Sequence, residues 1–150
     1  MLPGHAHRIL IVEDTVSMAE LYRAYLAKAG FECDIAGTGA EALAIIGQGP
    51  PAAIVLDLNL PDMPGMAILD KVVADKSPTN VVVVTTDGSI RIAVEAMRKG
   101  AHDFIVKPFT ADRLVTTVSN ARESALLKSQ VAELRENFGR RAFQGFIGES

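Results

Sequence analysis

Cysteine is almost absent from this chain, and long apolar runs and excess basic charge are absent altogether. The single Cys33 excludes an internal disulfide and is typical of a reducing compartment, so we expect the cytoplasm. No run approaches the roughly 18 apolar residues of a membrane helix, and the first residues lack a signal peptide's apolar core. The net charge of −3 argues against a nucleic-acid-binding surface, so we expect neither DNA nor membrane contact.

The chain also lacks the phosphate-binding motif G-x-x-x-x-G-K-[ST], which excludes ATP hydrolysis by these residues. What is present is a globular composition, with 49% hydrophobic and 22% charged residues. A length of 150 residues allows one domain of typical size and a short extension. We expect a flexible N-terminus at residues 1–7, a domain at 8–122 and a further segment at 123–150.

Five short apolar runs, bounded by turn residues, predict five buried strands. They cover residues 9–12, 31–36, 54–57, 81–85 and 104–107. Apolar residues at helical spacing follow each run, and Thr38 with Glu41 forms a capping box before the second helix. In the fourth helix, the spacing places Ala93, Ala96 and Met97 on one side. Strict alternation of strands and helices predicts an α/β fold with a parallel sheet covered on both faces.

Asp57 stands at the carboxyl end of the third strand, directly after Ile54-Val55-Leu56 and before a turn rich in Pro and Gly. Open α/β sheets place their chemistry at this end of their strands. A carboxylate there can act as a nucleophile and carry a phosphoryl group. The sequence therefore makes Asp57 the first candidate for a functional residue.

Other polar residues end three further strands: Glu13 and Asp14 the first, Thr85 the fourth and Lys107 the fifth. Each of them alone is more typical of an ordinary turn, cap or surface position. Together they share one edge of a parallel sheet, where three carboxylates with Asp57 would repel one another and require a cation. Mg²⁺ fits this requirement because it prefers hard oxygen ligands.

These residues resemble the receiver domain of bacterial two-component response regulators over most of residues 8–122. The matching pattern consists of Glu13-Asp14, Asp57, Thr85, Phe104 and Lys107-Pro108. The resemblance implies a flavodoxin-like (CheY-like), doubly wound sheet of five parallel strands in the order 2-1-3-4-5. An extended C-terminal helix follows, since no Pro or Gly interrupts the chain from Thr110 to Gly139.

The resemblance implies that Asp57 accepts a phosphoryl group from a histidine kinase or a phosphotransfer protein. Asp14 would bind Mg²⁺ directly, Glu13 partly through water, and Asn59 through its backbone carbonyl, beside Asp57 itself. The chain would catalyse only its own phosphorylation and would have no turnover substrate.

The resemblance also implies roles for the residues on the last two strands. Thr85 would turn its hydroxyl onto the phosphoryl group, and Lys107 would pair with it. Phe104 has the position of the family's switch aromatic, and the Lys107-Pro108 bond that of its cis peptide. Thr86 departs from the family, which has a small residue here, so the lifetime of the phosphoryl group stays open.

Residues 88–100 and 103–104 are similar to the NtrC class, whose receivers control an AAA+ ATPase that activates transcription. Residues 144–150 look like the linker and first residues of that ATPase domain. The resemblance thus implies that residues 123–150 are a helical linker and the start of an output domain.

The last helix carries two apolar stripes at heptad spacing, one step out of phase with each other. The first consists of Leu114, Val118, Ala121 and Ala125, and the second of Leu127, Val131, Leu134 and Phe138. We expect the first to face the domain and the second to face a partner. A homodimer through the face formed by residues 89–138 is one interpretation, and a stripe normally covered by an output domain is the other.

Three other functions compete with the phosphorylated receiver. A phosphatase of the haloacid dehalogenase type also uses a strand-end aspartate, but it requires an acid where this chain has Asn59. A degenerate, unphosphorylated interaction module is disfavoured because the acids, Thr85 and Lys107 are all retained. A flavin-binding protein is disfavoured because the first strand leads into Glu13-Asp14 rather than a phosphate-binding loop.

Overall fold

The computed structural model describes the backbone of residues 7–148, and their side chains except at positions 129, 132, 133 and 135–148. The expectations for residues 1–6 and 149–150 lie outside the described residues. Strands and helices alternate strictly along the described range. The strands are β1 (Arg8–Val12), β2 (Glu32–Ala36), β3 (Ala53–Asp57), β4 (Asn80–Thr85) and β5 (Asp103–Val106). The helices are α1 (Val16–Lys28), α2 (Gly39–Gln48), α3 (Gly65–Ala74), α4 (Ile90–Arg98) and α5 (Ala111–Gly148).

The five strands form one sheet in the order β2-β1-β3-β4-β5, and every pair is parallel. The predicted α/β fold and strand order are therefore confirmed. Val12 lies opposite Leu56, Asp57 opposite Val84, and Thr85 opposite Val106. This register brings the carboxyl ends of β1, β3, β4 and β5 to one edge of the sheet.

Two apolar cores cover the two faces of the sheet, because successive residues of a strand point to opposite sides. On one face, Ile9, Ile11 and Val55 pack with side chains of α1 and α5. On the other, Leu10 and Ile54 pack with side chains of α2, α3 and α4. Strands β1 and β3 are thus buried on both faces, which explains why their sequences are continuous apolar runs.

The capping box that the sequence predicts for α2 is present with one difference. The Thr38 hydroxyl accepts a hydrogen bond from the Glu41 amide at 3.1 Å. The Glu41 carboxylate accepts one from the amide of Gly37 at 2.9 Å, one residue before the expected partner. The carboxylate of Asp62, in the loop after β3, accepts hydrogen bonds from the amides of the first two residues of α2, at 2.8 and 2.9 Å. The start of α2 is therefore tied to the loop that follows Asp57.

Helix α4 is buried along only part of the side that Ala93, Ala96 and Met97 share. Ala96 is fully buried, but Ala93 is only half-buried and Met97 is 47% exposed. The helix contacts β5, the last strand of the sheet, so only a narrow part of it meets the core.

The two stripes of α5 behave differently, as the sequence predicts. All four residues of the first stripe are buried, including Leu114 and Val118. In the second stripe, Leu127 and Leu134 are more than half exposed, and the side chain of Phe138 lies outside the described residues. Asn80, at the start of β4, donates a hydrogen bond to the carbonyl of Ala121 at 2.9 Å and accepts one from Lys128. This buried amide attaches the middle of α5 to the sheet.

Candidate functional site

The carboxyl edge of the sheet brings together the polar residues that the sequence singled out. Asp57 and Thr85 are the last residues of β3 and β4, and both are buried. Glu13 directly follows β1 and is also buried, whereas its neighbour Asp14 is exposed. Lys107 directly follows β5 and reaches back across the edge. The buried strand that leads to each of these residues fixes its position at this edge.

Lys107 joins two of the acids. Its ammonium lies 2.8 Å from Oε1 of Glu13 and 3.1 Å from Oδ2 of Asp57. All three side chains are at most 15% exposed, so water screens these contacts weakly. Burial opposes the positive charge of Lys107, but its hydrogen bonds to Glu13 and Asp57 are stronger and raise its pKa. Lys107 is therefore a fixed cation at this edge of the sheet.

The two carboxyls that Lys107 joins have opposite pKa shifts. Burial raises the pKa of Glu13 to about 7, and the nearby Asp57 acts in the same direction. Burial also works against ionisation of Asp57, but Glu13, the Asn59 amide and Lys107 together outweigh it and lower its pKa. Asp57 is thus the carboxyl that stays ionised, as a nucleophile must be.

The three acids form a cluster suited to a divalent cation. Glu13, Asp14 and Asp57 each offer a carboxylate oxygen, and these atoms lie within 4.8 Å of one another. The second oxygen of Glu13, Oε2, is buried and has no hydrogen-bond partner among the described residues. An unpartnered buried carboxylate oxygen beside two other acids matches the hard oxygen ligands of Mg²⁺. The donor set therefore fits this ion.

The loop after Asp57 is held in one conformation by its backbone. The Asn59 amide donates to Oδ1 of Asp57 at 2.9 Å, and the Gly65 amide donates to the Leu58 carbonyl at 2.9 Å. A Cβ atom at Gly65 would lie 2.4 Å from the Asp57 carbonyl oxygen and 2.6 Å from Leu58 Cα. Only glycine fits there, so the backbone of α3 can approach the end of β3 closely.

The residues expected to respond to a phosphoryl group lie on β4 and β5. The Thr85 hydroxyl accepts a hydrogen bond from the Asp87 amide at 3.2 Å, while Thr86 is exposed. Phe104 is half-buried and packs against the core on the α2, α3 and α4 face. The Lys107-Pro108 peptide is cis.

Two features of the site were not predicted from the sequence. Asp62 belongs to the turn that follows Asp57 in the sequence, and it also caps α2. Tyr22 recurs with apolar residues at helical spacing along α1, yet its pKa responds to Lys107, Glu13 and Asp57. A hydroxyl on the apolar face of an amphipathic helix was the available signal for Tyr22.

Comparison with protein-family models identifies the class of protein. The model described as the response regulator receiver domain matches residues 9–119. The chain belongs to this family, whose members are signalling domains of two-component systems. Receiver domains bind Mg²⁺ at an acidic pocket and interact with histidine kinases or phosphotransfer proteins.

Within the family, the chain is close to the LuxO and NtrX regulators of the NtrC class. It is 49% identical over 142 residues to the regulatory protein LuxO of Vibrio cholerae, covering 93% of this chain and 30% of that protein. It is 37% identical over 133 residues to the nitrogen assimilation regulatory protein NtrX of Azorhizobium caulinodans, covering 87% of this chain and 29% of that protein. The chain thus spans about 30% of the length of these relatives.

Solved structures agree with this relationship. The receiver domain of a putative LuxO repressor protein from Vibrio parahaemolyticus superimposes with a TM-score of 0.79 at 40% identity, covering 83% of this chain and 95% of that one. NtrX from Brucella abortus, in complex with ADP, gives a TM-score of 0.78 at 38% identity, covering 88% of this chain and 30% of that one. Within the described range, every helix is too short or too polar to cross a membrane.

Proposed function

We propose that this domain is a phosphorylation-controlled switch in which Asp57 accepts the phosphoryl group. The observation that carries the proposal is the 3.1 Å contact between Lys107 and an ionised Asp57 at the end of β3. An ionised carboxylate beside a fixed cation is a competent nucleophile whose product charge can also be neutralised. Thr85, on the adjacent strand end, supplies a hydroxyl that can donate to the product.

The transfer itself needs few groups. An oxygen of Asp57 attacks the phosphorus of a phosphohistidine on a kinase or phosphotransfer protein. A phosphorus–oxygen bond forms, the phosphorus–nitrogen bond breaks, and the imidazole leaves with its electron pair. Lys107 offsets negative charge on the transferring group, and the amide of Asn59 holds the other oxygen of Asp57 in place. No turnover substrate is required, since the domain modifies only itself.

The acidic cluster supports a role for Mg²⁺ in the same step. Glu13, Asp14 and Asp57 would hold the ion, together with the backbone carbonyl of Asn59. The ion would neutralise charge on the phosphoryl oxygens.

A rearrangement of Thr85 and Phe104 would carry the effect of phosphorylation to the rest of the protein. When Thr85 turns toward the phosphoryl group, it vacates space that Phe104 on the neighbouring strand can fill. We propose that this change alters homodimerisation through the face formed by residues 89–138. In this proposal residues 8–122 are the receiver, and residues 123–150 lead into an AAA+ domain that activates transcription in the cytoplasm.

Mass spectrometry tests the acceptor. Incubation with acetyl phosphate and Mg²⁺ should add one phosphoryl group to the parent protein and none to Asp57→Asn. Asp70→Asn removes an exposed aspartate on α3 and should be modified like the parent. If Asp57→Asn is modified as fully as the parent, the assignment fails.

A further inference from the structure

Tyr22 carries a buried hydroxyl that packing in the apolar core alone does not require. It lies on α1 and is only 2% exposed, and its ring packs on Phe109 with centroids 5.1 Å apart. Its hydroxyl is buried and has no hydrogen-bond partner among the described residues. A buried hydroxyl without a partner is destabilising relative to a phenylalanine of the same shape.

The hydroxyl lies beside the functional site. Tyr22 and Lys107 line one small pocket of about 130 Å³, together with Pro108 and Phe109. Burial raises the pKa of the Tyr22 hydroxyl, and the positive charge of Lys107 acts in the opposite direction. The two side chains thus line the same pocket, and no hydrogen bond joins them in this structure. A neutral phenol can accept a hydrogen bond from an ammonium group.

Phosphorylation would redistribute the hydrogen bonds of Lys107. An ammonium group has three N–H donors, and here two of them bind the carboxylates of Glu13 and Asp57. In the proposed function the phosphoryl group on Asp57 accepts one of these bonds, and Glu13 takes part in binding the metal. The hydroxyl of Tyr22, which has no partner among the described residues, is then available as an acceptor for a remaining N–H of Lys107.

We propose that Tyr22 is a positioning residue for Lys107, accepting a hydrogen bond from its ammonium when Asp57 is phosphorylated. The inference rests on the proposed function. The phenol ring is held by its contact with Phe109, so its oxygen offers the ammonium one fixed direction. That direction keeps Lys107 at the edge of the sheet, where it can neutralise the phosphoryl group.

The first test measures the rate of phosphorylation by acetyl phosphate with Mg²⁺, followed by intact mass. Tyr22→Phe removes one oxygen and keeps the ring, so thermal unfolding should show a folded protein. Its rate should fall at least about 10-fold, the effect of one hydrogen bond to a charged group. Tyr25→Phe is the matched control, because Tyr25 lines the same pocket and its loss should leave the rate unchanged.

A double-mutant cycle separates action through Lys107 from a general packing effect. In a Lys107→Met background, Tyr22→Phe should cause no further decrease. A decrease of the same size in both backgrounds overturns the proposal, and so does an unchanged rate in Tyr22→Phe alone.

The second test does not depend on the rate. Nitrogen-15 side-chain NMR of the beryllofluoride complex, which mimics the phosphoryl group, should show a Lys107 ammonium signal that shifts in Tyr22→Phe and not in Tyr25→Phe. An unchanged Lys107 signal in Tyr22→Phe overturns the proposal. Failure of the proposed function would look different, because the parent and Asp57→Asn would then be modified alike.

Discussion

At the residue scale, Glu13 is a buried carboxyl beside a second carboxyl, an arrangement that disfavours its ionised form when no metal is bound. Its side chain is only 2% exposed, yet it lies beside another carboxyl, Asp57. Its hydrogen bond to Lys107 favours the ionised carboxylate. Burial and the nearby Asp57 have the larger effect and raise the pKa of Glu13 to about 7. The metal-free protein therefore favours a protonated Glu13 at mildly acidic pH, and an ionised Glu13 is a source of instability.

The pH dependence of stability tests this environment. With a chelator present, the unfolded chain loses the Glu13 proton near pH 4.5, whereas the folded protein keeps it until about pH 7. The free energy of unfolding should therefore fall as pH rises through this interval, by on the order of 2 kcal/mol. The lowered pKa of Asp57 changes the free energy of unfolding only below this interval, where the stability it contributes is lost as pH falls. Urea unfolding at several pH values measures the effect.

Glu13→Gln is the control, because it has no proton to lose and should flatten the profile. A parent protein whose stability is constant or rises between pH 5 and 7.5 would contradict the pKa assigned to Glu13.

The meeting of these polar residues at one edge of the sheet could be predicted from the sequence, but their pairing could not. Asp57, Thr85 and Lys107 follow strands whose parallel arrangement places them at one edge. The two bonds of Lys107 depend on side-chain conformation across residues far apart in the chain. The unpartnered hydroxyl of Tyr22 depends on packing in the same way, and a helical pattern carries no such information.

At the scale of elements, α5 is attached to the sheet by a buried polar contact as well as by its apolar stripe. Asn80 donates to the Ala121 carbonyl and accepts from Lys128, although it begins a strand of the apolar core. A buried amide that satisfies both a carbonyl and an ammonium fixes the position of a helix along a sheet more specifically than apolar contact does.

Removing this amide should loosen α5 locally. Asn80→Ala removes the buried hydrogen bond to the Ala121 carbonyl, which should cost about 1–3 kcal/mol. Hydrogen exchange at the amides of residues 121–128 should accelerate accordingly. Asn120→Ala, at an exposed position on the same helix, should stay within about 0.5 kcal/mol of the parent. Exchange in Asn80→Ala that matches Asn120→Ala would show that the amide does not hold the helix.

The strands were more predictable than the helices. Continuous apolar runs bounded by turns identify buried strands directly, and all five begin within one residue of the predicted position. Helix α4 was predicted less well, since spacing identifies which residues share a face and not how much of that face is covered. Met97 shares one side of α4 with the buried Ala96 but remains 47% exposed.

At the scale of the whole molecule, exposed apolar side chains concentrate within residues 89–138. Among the described side chains, those of α4 and β5 are Ile90, Val94, Met97 and Val106, and those of α5 are Leu127, Val131 and Leu134. Apolar residues grouped in this way are typical of a surface that a partner covers. The proposed homodimer would bury them.

Sedimentation measures whether the homodimer forms as proposed. Beryllofluoride with Mg²⁺ should shift the parent toward dimer, and Leu127→Glu should raise the dimer dissociation constant at least about tenfold by placing like charges in the interface. Val16→Glu alters an even more exposed apolar residue on α1, outside this face, and should associate like the parent. Equal association of Leu127→Glu and the parent would remove α5 from the interface.

The length of α5 has a mechanical consequence. Twenty residues follow Lys128 up to Gly148, and at 1.5 Å per residue they form an arm of about 30 Å. The part of the helix before Lys128 packs on the sheet, and Asn80 contacts the helix close to the point about which it would tilt. A tilt of about 5° at that point would move the far end by roughly 2.6 Å over such an arm. The same tilt moves Leu114, 14 residues before Lys128, by about 1.8 Å, so a repacking at Leu114 becomes a larger displacement at Gly148.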